Sequence, residues 1–194
     1  MRVGRQLSLF GVEAGTPAAD DLEGLLAGPG QVVRMGGTAR VSVVVDELWR
    51  AQVLHTELRA RGLQVTCVST VEDHIGVRTA YSTLLAPLAR AWLKGAVKVP
   101  PEGFALEGRR LRLWAAAAGY ADKLEYTLRL GSSDEPAWAA VGAALAAIGL
   151  PAALLSARAG GPAYRISGRR RIARLAELVG DRPVPAPPEA WPAT

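Results

Sequence analysis

The chain has 194 residues, of which 49% are hydrophobic and 21% charged, and its formal net charge is +5. This length supports a buried core in one domain or two small halves, and the composition is typical of globular rather than disordered proteins. One cysteine and two histidines exclude a disulfide framework, argue against a cysteine–histidine zinc site, and favour a cytoplasmic location. No apolar run reaches the roughly 20 residues that a membrane-spanning helix needs.

The two ends of the chain differ in composition from the residues between them. Residues 1–19 hold one short apolar patch followed by glycine, threonine, proline and alanine without a period, and residues 182–194 contain five prolines. Proline fits neither a helix interior nor a central strand. Both ends are therefore predicted to be flexible extensions of a folded body that spans residues 20–181.

The first half of the body, residues 20–95, is predicted to alternate helices and strands. In chain order the elements are a helix at residues 20–27, strands at Gln31–Met35 and residues 40–45, a helix between Asp46 and Gly62, strands at residues 63–69 and 76–80, and a helix that ends at Gly95. The second strand alternates valines, the first long helix has an apolar stripe at helical spacing, and glycines end both long helices.

The second half, residues 96–181, is predicted to repeat this order. Its elements are strands at residues 104–106, 111–114 and 124–130, a helix capped by Ser133 or Asp134, strands at residues 152–158 and Ala163–Ser167, and a helix at residues 168–179. The helix-ending glycines Gly62 and Gly149 are 87 residues apart, and the apolar stripes before them superpose at the same shift. We therefore expect two related α-β-β-α-β-β units, with the helix that ends at Gly95 shared between them.

The duplicated order resembles the LAGLIDADG homing-endonuclease fold, and in particular its degenerate relative, the N-terminal domain of WhiA. The segments that carry the resemblance are residues 90–99, 124–130 and 163–180. The resemblance implies an α+β fold in which two pseudo-two-fold units pack through paired helices and form a curved β saddle over DNA.

The same resemblance bears on activity, because nucleases of this family place an acidic residue at the end of each paired helix. That residue binds the metal that activates water. The corresponding helix ends are expected at residues 26–30 and 93–98, which contain no carboxylate, and the second segment holds two lysines. The resulting expectation is a protein with no metal, no cofactor and no enzymatic activity.

A second resemblance lies in the N-terminal segment. The pentapeptide Gln6, Leu7, Ser8, Leu9 and Phe10 is similar to the motif by which bacterial replication and repair proteins bind the sliding clamp. A segment that offers a few apolar anchors and one hydrogen-bonding residue suits a preformed pocket. The alternative is that Leu7, Leu9 and Phe10 pack on the folded body.

Two groups of arginines are candidates for DNA binding. Arg110 and Arg112 alternate with leucines and share a predicted strand face with Trp114, and Arg129 lies on the polar face of residues 124–130; Arg34 and Arg40 are expected in the equivalent place in the first half. The second group stands at the start of the last helix and comprises Arg169, Arg170, Arg171 and Arg174. These four either bind phosphate or form a solvated helix face.

These observations predict a non-catalytic accessory protein of DNA replication or repair. It would bind the sliding clamp through residues 6–10 and double-stranded DNA through a basic saddle, with no membrane partner. The alternative is a WhiA-like regulatory module that acts through a protein partner. A metal-dependent endonuclease is the third and least favoured interpretation.

Overall fold

The computed structural model describes residues 11, 15–70 and 73–193, which form two similar halves. After a 3₁₀ turn at Ala19–Leu22, the first half contains α1 (Glu23–Ala27), β1 (Gln31–Met35), β2 (Thr38–Val45), α2 (Leu48–Ala60), β3 (Val65–Ser69), β4 (Ile75–Thr79) and α3 (Ala86–Trp92). A hairpin of β5 (Leu93–Lys94) and β6 (Val97–Lys98) follows. The second half contains α4 (Gly108–Ala118), β7 (Gly119–Asp122), β8 (Glu125–Arg129), α5 (Glu135–Ala147), β9 (Ala153–Leu155), β10 (Ala163–Ser167) and α6 (Arg169–Val179).

Each half builds one four-stranded antiparallel sheet. The strand orders are β1-β2-β4-β3 and β7-β8-β10-β9, so the same connections are used twice. The register repeats as well. Val33 pairs with Arg40 in the first sheet, and the residues 87 positions later, Tyr120 and Thr127, pair with each other in the second. The predicted duplicated α+β fold is confirmed.

Alternation along the strands separates an inner from an outer face of each sheet. In β2 the side chains of Ala39, Val41, Val43 and Val45 are buried, whereas those between them are partly or fully exposed. The inner face of the first sheet packs on α2, and that of the second packs on α5, where the Tyr164 hydroxyl donates to the Trp138 carbonyl. Every other strand residue therefore faces away from the helices on an outer face.

The two halves meet through α1 and α4, which cross closely. Gly24 of α1 lies so near the α4 backbone that a Cβ there would stand 1.8 Å from the Arg110 carbonyl oxygen. Leu25 and Leu26 of α1 and Trp114 of α4 are almost completely buried at this centre. The glycine thus lets the backbones of the central helices approach, as the resemblance to a paired-helix fold implies. The second central helix is α4, which ends at Ala118, so the expectation that this helix ends at residues 93–98 is wrong.

Helix α4 corrects the predicted strand at residues 111–114. The leucines and arginines there alternate, which favoured a strand, but α4 packs on α1, α2 and α6 and therefore buries most of its circumference. The alternation covers only residues 110–113, whereas the four alanines that complete the helix, residues 115–118, are all buried and do not alternate. The predicted strand at residues 104–106 is also absent, α3 ends at Trp92 rather than Gly95, and β7 was not predicted.

The proline-rich segment packs on the body, although a flexible extension was expected. Trp191 is 3% exposed, and its indole nitrogen donates to the Gly180 carbonyl at 3.1 Å. The Arg112 guanidinium lies over the Trp191 ring, 5.3 Å from its centroid. This one aromatic anchor holds the segment across the end of α6.

Across the described ranges, which omit residues 1–10, 12–14, 71–72 and 194, no helix has the length and hydropathy to cross a membrane.

Candidate nucleic-acid interface

The outer face of the first sheet carries cations and no carboxylate. Register places Arg40 beside Val33 and Arg78 between Ser42 and Thr66, all on this face. The remaining members are polar or apolar: Gln31, Met35, Thr38, Val44, Val68 and Gly76. Arg78 is exposed, whereas Arg40 lies over the Tyr81 ring, 5.0 Å from its centroid.

The outer face of the second sheet carries both signs of charge. Arg165 and Glu125 form an ion pair at 3.7 Å, and Ser167 donates a hydrogen bond to Glu125. Asp122 lies opposite Glu125 at the sheet edge. Arg129, at the end of β8, is exposed and lies 4.4 Å from the centroid of the Tyr120 ring. Stacking on an aromatic ring orients a guanidinium while leaving its N–H groups available.

A cleft of about 550 Å³ lies where the two outer faces adjoin. The cleft is lined by residues of β1 and β2 from the first sheet and by residues of β7 and β8 from the second. The lining also includes Pro29, which follows α1, and Ala118, the last residue of α4. Within it, the Tyr120 hydroxyl donates to Asp46 at 2.5 Å. Burial, together with this hydrogen bond, raises the pKa of Tyr120 to about 12, so the phenol stays protonated.

Under this cleft, the carboxyl end of α4 is bound by a buried arginine. Arg50 of α2 is 1% exposed, and it donates to the carbonyls of Ala116 at 3.2 Å and Gly119 at 2.7 Å. Its Nε lies 3.1 Å from Asp46 and 3.5 Å from Glu47. The partial negative charge of a helix carboxyl end favours a cation at this place.

The carboxyl end of α1 is bound in the same way by a lysine. Lys98 of β6 is 4% exposed, and its ammonium donates to the carbonyls of Gly28 at 2.9 Å and Gly30 at 2.7 Å. Its third partner is Asp134, the residue before α5, at 2.7 Å. Asp134 also accepts a hydrogen bond from Gln31. Burial lowers the pKa of Lys98, although the Asp134 carboxylate opposes this shift.

The structure separates the predicted DNA-binding arginines. Arg110 and Arg112 lie on α4, not on a strand, and the prediction that they share a strand face with Trp114 is wrong. Arg110 pairs with Glu23 at 3.0 Å, and Arg112 pairs with Glu57 at 2.8 Å and donates to the Val179 carbonyl. Both side chains are thus engaged within the fold.

Trp114 is fully buried, and its indole donates to the Arg129 carbonyl at 2.7 Å. Arg34 pairs with the inward-facing Ala39, so it points away from the outer face that carries Arg40. Arg78, Tyr120 and Arg50 were not among the site residues predicted from the sequence. For Arg78 a signal existed, since it follows an inward-facing valine in a strand that was predicted.

The arginines at the start of α6 lie on the protein surface. Arg169, Arg170 and Arg171 are exposed, and Arg174 pairs with Glu177 at 3.1 Å. Arg171 donates to the Ser167 carbonyl at 3.3 Å. Phosphate binding by this group stays a prediction. The predicted clamp-binding residues 6–10 lie outside the described residues.

Comparison with known proteins shows the fold. No family model and no curated protein matches this chain. Its structure is similar to that of the homing endonuclease I-WcaI bound to its DNA recognition sequence, with a TM-score of 0.59 and 10% identity over 92% of this chain and 90% of that one. Structures of I-DmoI with DNA and Mn, and of mesophilic I-DmoI variants, align with TM-scores of 0.43 and 0.44 at 15% and 17% identity. They cover 98% and 95% of those chains and 84% of this one.

The likeness to I-WcaI bears out the LAGLIDADG-like fold and corrects one expectation. The sequence led us to expect a protein that is not an enzyme, whereas the protein that shares this fold is an endonuclease. The expectation of a non-enzyme is therefore contradicted. The narrower resemblance to WhiA stays a prediction.

Proposed function

We propose that this protein binds double-stranded DNA along the outer faces of its two sheets. The observation that carries the proposal is the outer face of the first sheet, which presents Arg40 and Arg78 without a carboxylate and continues across the cleft to Arg129. A surface of this kind attracts phosphates, and its polar and apolar side chains can contact base edges.

Three further observations support this proposal. Helix α2 packs on the inner face of the first sheet, and α5 contacts Tyr164 on the inner face of the second, so the outer faces are left open over the described part of the chain. The net charge of the chain is +5, which favours a polyanionic partner. The fold is similar to that of a homing endonuclease bound to its DNA recognition sequence.

The proposal is tested by fluorescence anisotropy with a labelled DNA duplex at several salt concentrations. Arg78→Gln and Arg129→Gln remove exposed cations from the outer faces, and Arg59→Gln removes an exposed cation from the helical side of the molecule. Each outer-face variant is expected to weaken binding and to lower the slope of log affinity against log salt by about 1, because one phosphate contact is lost. Equal affinities for all three variants would contradict the proposal.

We further propose that residues 6–10 attach the protein to the sliding clamp during DNA replication or repair, in the cytoplasm. The support is the sequence Gln6-Leu7-Ser8-Leu9-Phe10, which resembles clamp-binding motifs. A tether raises the local concentration of a weakly binding body near DNA without new contacts. The full chain should bind immobilised clamp, and Leu9→Ala with Phe10→Ala should abolish that binding. Unchanged clamp binding by the double variant would refute the tether.

A further inference from the structure

The central helices of this protein end on two buried cations. Arg50 binds the end of α4, and Lys98 binds the end of α1, each through two backbone carbonyls within 3.2 Å. Each cation also pairs with a carboxylate just ahead of a peripheral helix, Asp46 before α2 and Asp134 before α5. The helix ends and the carboxylates lie at corresponding places in the two halves, whereas the cations come from different elements, α2 and β6.

The resemblance to the endonuclease fold implies a divalent metal between the ends of the two central helices, which in the structure are the ends of α1 and α4. The residues present there do not fit such a metal. Pro29 and Ala118, which line the cleft just past the end of α1 and at the end of α4, offer no side-chain oxygen. Both oxygens of Asp46 are engaged, one by Arg50 and the other by the Tyr120 hydroxyl. Hard cations such as Mg²⁺ need carboxylate oxygens that are free to coordinate.

The second carboxylate near the cleft, Asp134, is 7% exposed and is paired with a cation at one of its two oxygens. That oxygen, Oδ2, accepts from both Lys98 and Gln31. Lys98 in turn uses all three donors of its ammonium, on Asp134 and on the carbonyls of Gly28 and Gly30. Among the residues with described positions, no group of three or more His, Cys, Asp or Glu side chains could hold a metal ion.

We propose that Arg50 and Lys98 are built-in cations that replace divalent metal at the centre of this fold, so that its stability and its DNA binding are independent of such ions. Each cation also joins the two halves: Arg50 extends from α2 of the first half to α4 of the second, and Asp134 of the second half holds Lys98 against α1 of the first. The part of the proposal that concerns DNA rests on the proposed function above.

The test compares the full chain in EDTA, in MgCl₂ and in MnCl₂ at matched ionic strength. Thermal unfolding is expected at the same temperature in all three media. In NMR spectra, paramagnetic Mn²⁺ should cause no selective broadening of amides at residues 28–31 and 117–120. A saturable rise in melting temperature with either metal, or selective broadening of those amides, would overturn the proposal.

Variants of the two cations provide a second measurement. Lys98→Met and Arg50→Met should melt at lower temperatures than the parent protein in EDTA, because each leaves backbone carbonyls and a carboxylate without their cation. Variants that melt at the same temperature as the parent protein in EDTA would overturn the proposal, because the two cations would then not stabilise the helix ends. If the variants do not fold, the melting temperatures and NMR spectra of the parent protein with and without metal still test the proposal.

The DNA measurements separate this proposal from the proposed function. Equal DNA affinity in EDTA and in MgCl₂ supports both. Tighter DNA binding with metal, or plasmid cleavage that occurs only with metal, would overturn the proposal that Arg50 and Lys98 replace the metal. The proposed DNA binding would still be supported. An absence of DNA binding in every medium refutes the proposed function, whereas unchanged melting temperatures still support the role of Arg50 and Lys98 in the fold.

Discussion

Replacing Gly24 by alanine tests the crossing of α1 and α4, on which the arrangement of the two halves depends. Helix propensity alone predicts that Gly24→Ala stabilises the protein by about 1 kcal/mol. The structure predicts the opposite, because the new methyl group would stand 1.8 Å from the Arg110 carbonyl oxygen. That oxygen belongs to the backbone of a buried helix, so the methyl group can be accommodated only if the two helices move apart.

The size of the effect follows from these two opposing contributions. Forcing an extra methyl group into a packed core costs typically up to about 3 kcal/mol, and the upper end applies where the obstacle is backbone. After the gain in propensity, a net loss of about 2 kcal/mol remains, which lowers the melting temperature of a chain of this size by about 4–8 °C.

The assay is thermal unfolding followed by circular dichroism, with Gly37→Ala as the matched control. Gly37 lies in the turn between β1 and β2, and a Cβ there would meet no atom within 4 Å. The control is expected to melt close to the parent protein. A Gly24→Ala variant that melts at the same or a higher temperature would show that α1 and α4 do not cross as described.

Three further predictions concern acid, alkali and the carboxyl-terminal segment. Burial acts to raise the pKa of Glu57, but its hydrogen bonds from Arg112 and Arg61 outweigh burial and hold the pKa below 4.5. The free energy of unfolding should therefore fall as the pH drops below 4.5. Urea unfolding curves of Glu57→Gln should show a weaker dependence on pH in this range. Since the pKa of Tyr120 rises from 10.0 to about 12, stability should decline between these pH values, and less steeply in Tyr120→Phe, as measured by alkaline unfolding. Trp191→Ala should destabilise the protein by about 3 kcal/mol in chemical unfolding, because its buried ring anchors the last segment; an unchanged midpoint would show that the segment is a free tail.

Local patterns in the sequence were sufficient for most of the peripheral elements. The alternating valines of β2 and the apolar stripe of α2 each need only one inner face, and their repetition 87 residues later indicates the duplication. Strand β10 and helix α6 were predicted from one-sided apolar patterns in the same way, and α6 begins within one residue of the predicted start. The exposed position of Arg129 on β8 also follows from alternation alone.

The centre of the molecule was decided by tertiary contacts. Helix α4 was predicted as a strand because residues 110–113 alternate arginine and leucine, and that short pattern does not show the contacts of α4 with α1, α2 and α6. Arg112 consequently pairs with Glu57 in the interior of the fold rather than facing a ligand. Trp191 is a comparable case, since five prolines indicate irregular backbone but do not show whether that backbone packs.

The sequence by itself therefore determined the duplicated α+β architecture and most strands of the two sheets, because each amphipathic element records which of its faces is buried. Only the tertiary structure decided which helices pair and how their ends are held. Arg50 is 65 or more residues before the carbonyls that it binds, and Lys98 is 68 and 70 residues after its own. No local pattern encodes such partners, since a buried cation is stabilised only by the particular carbonyls and carboxylate that folding brings around it.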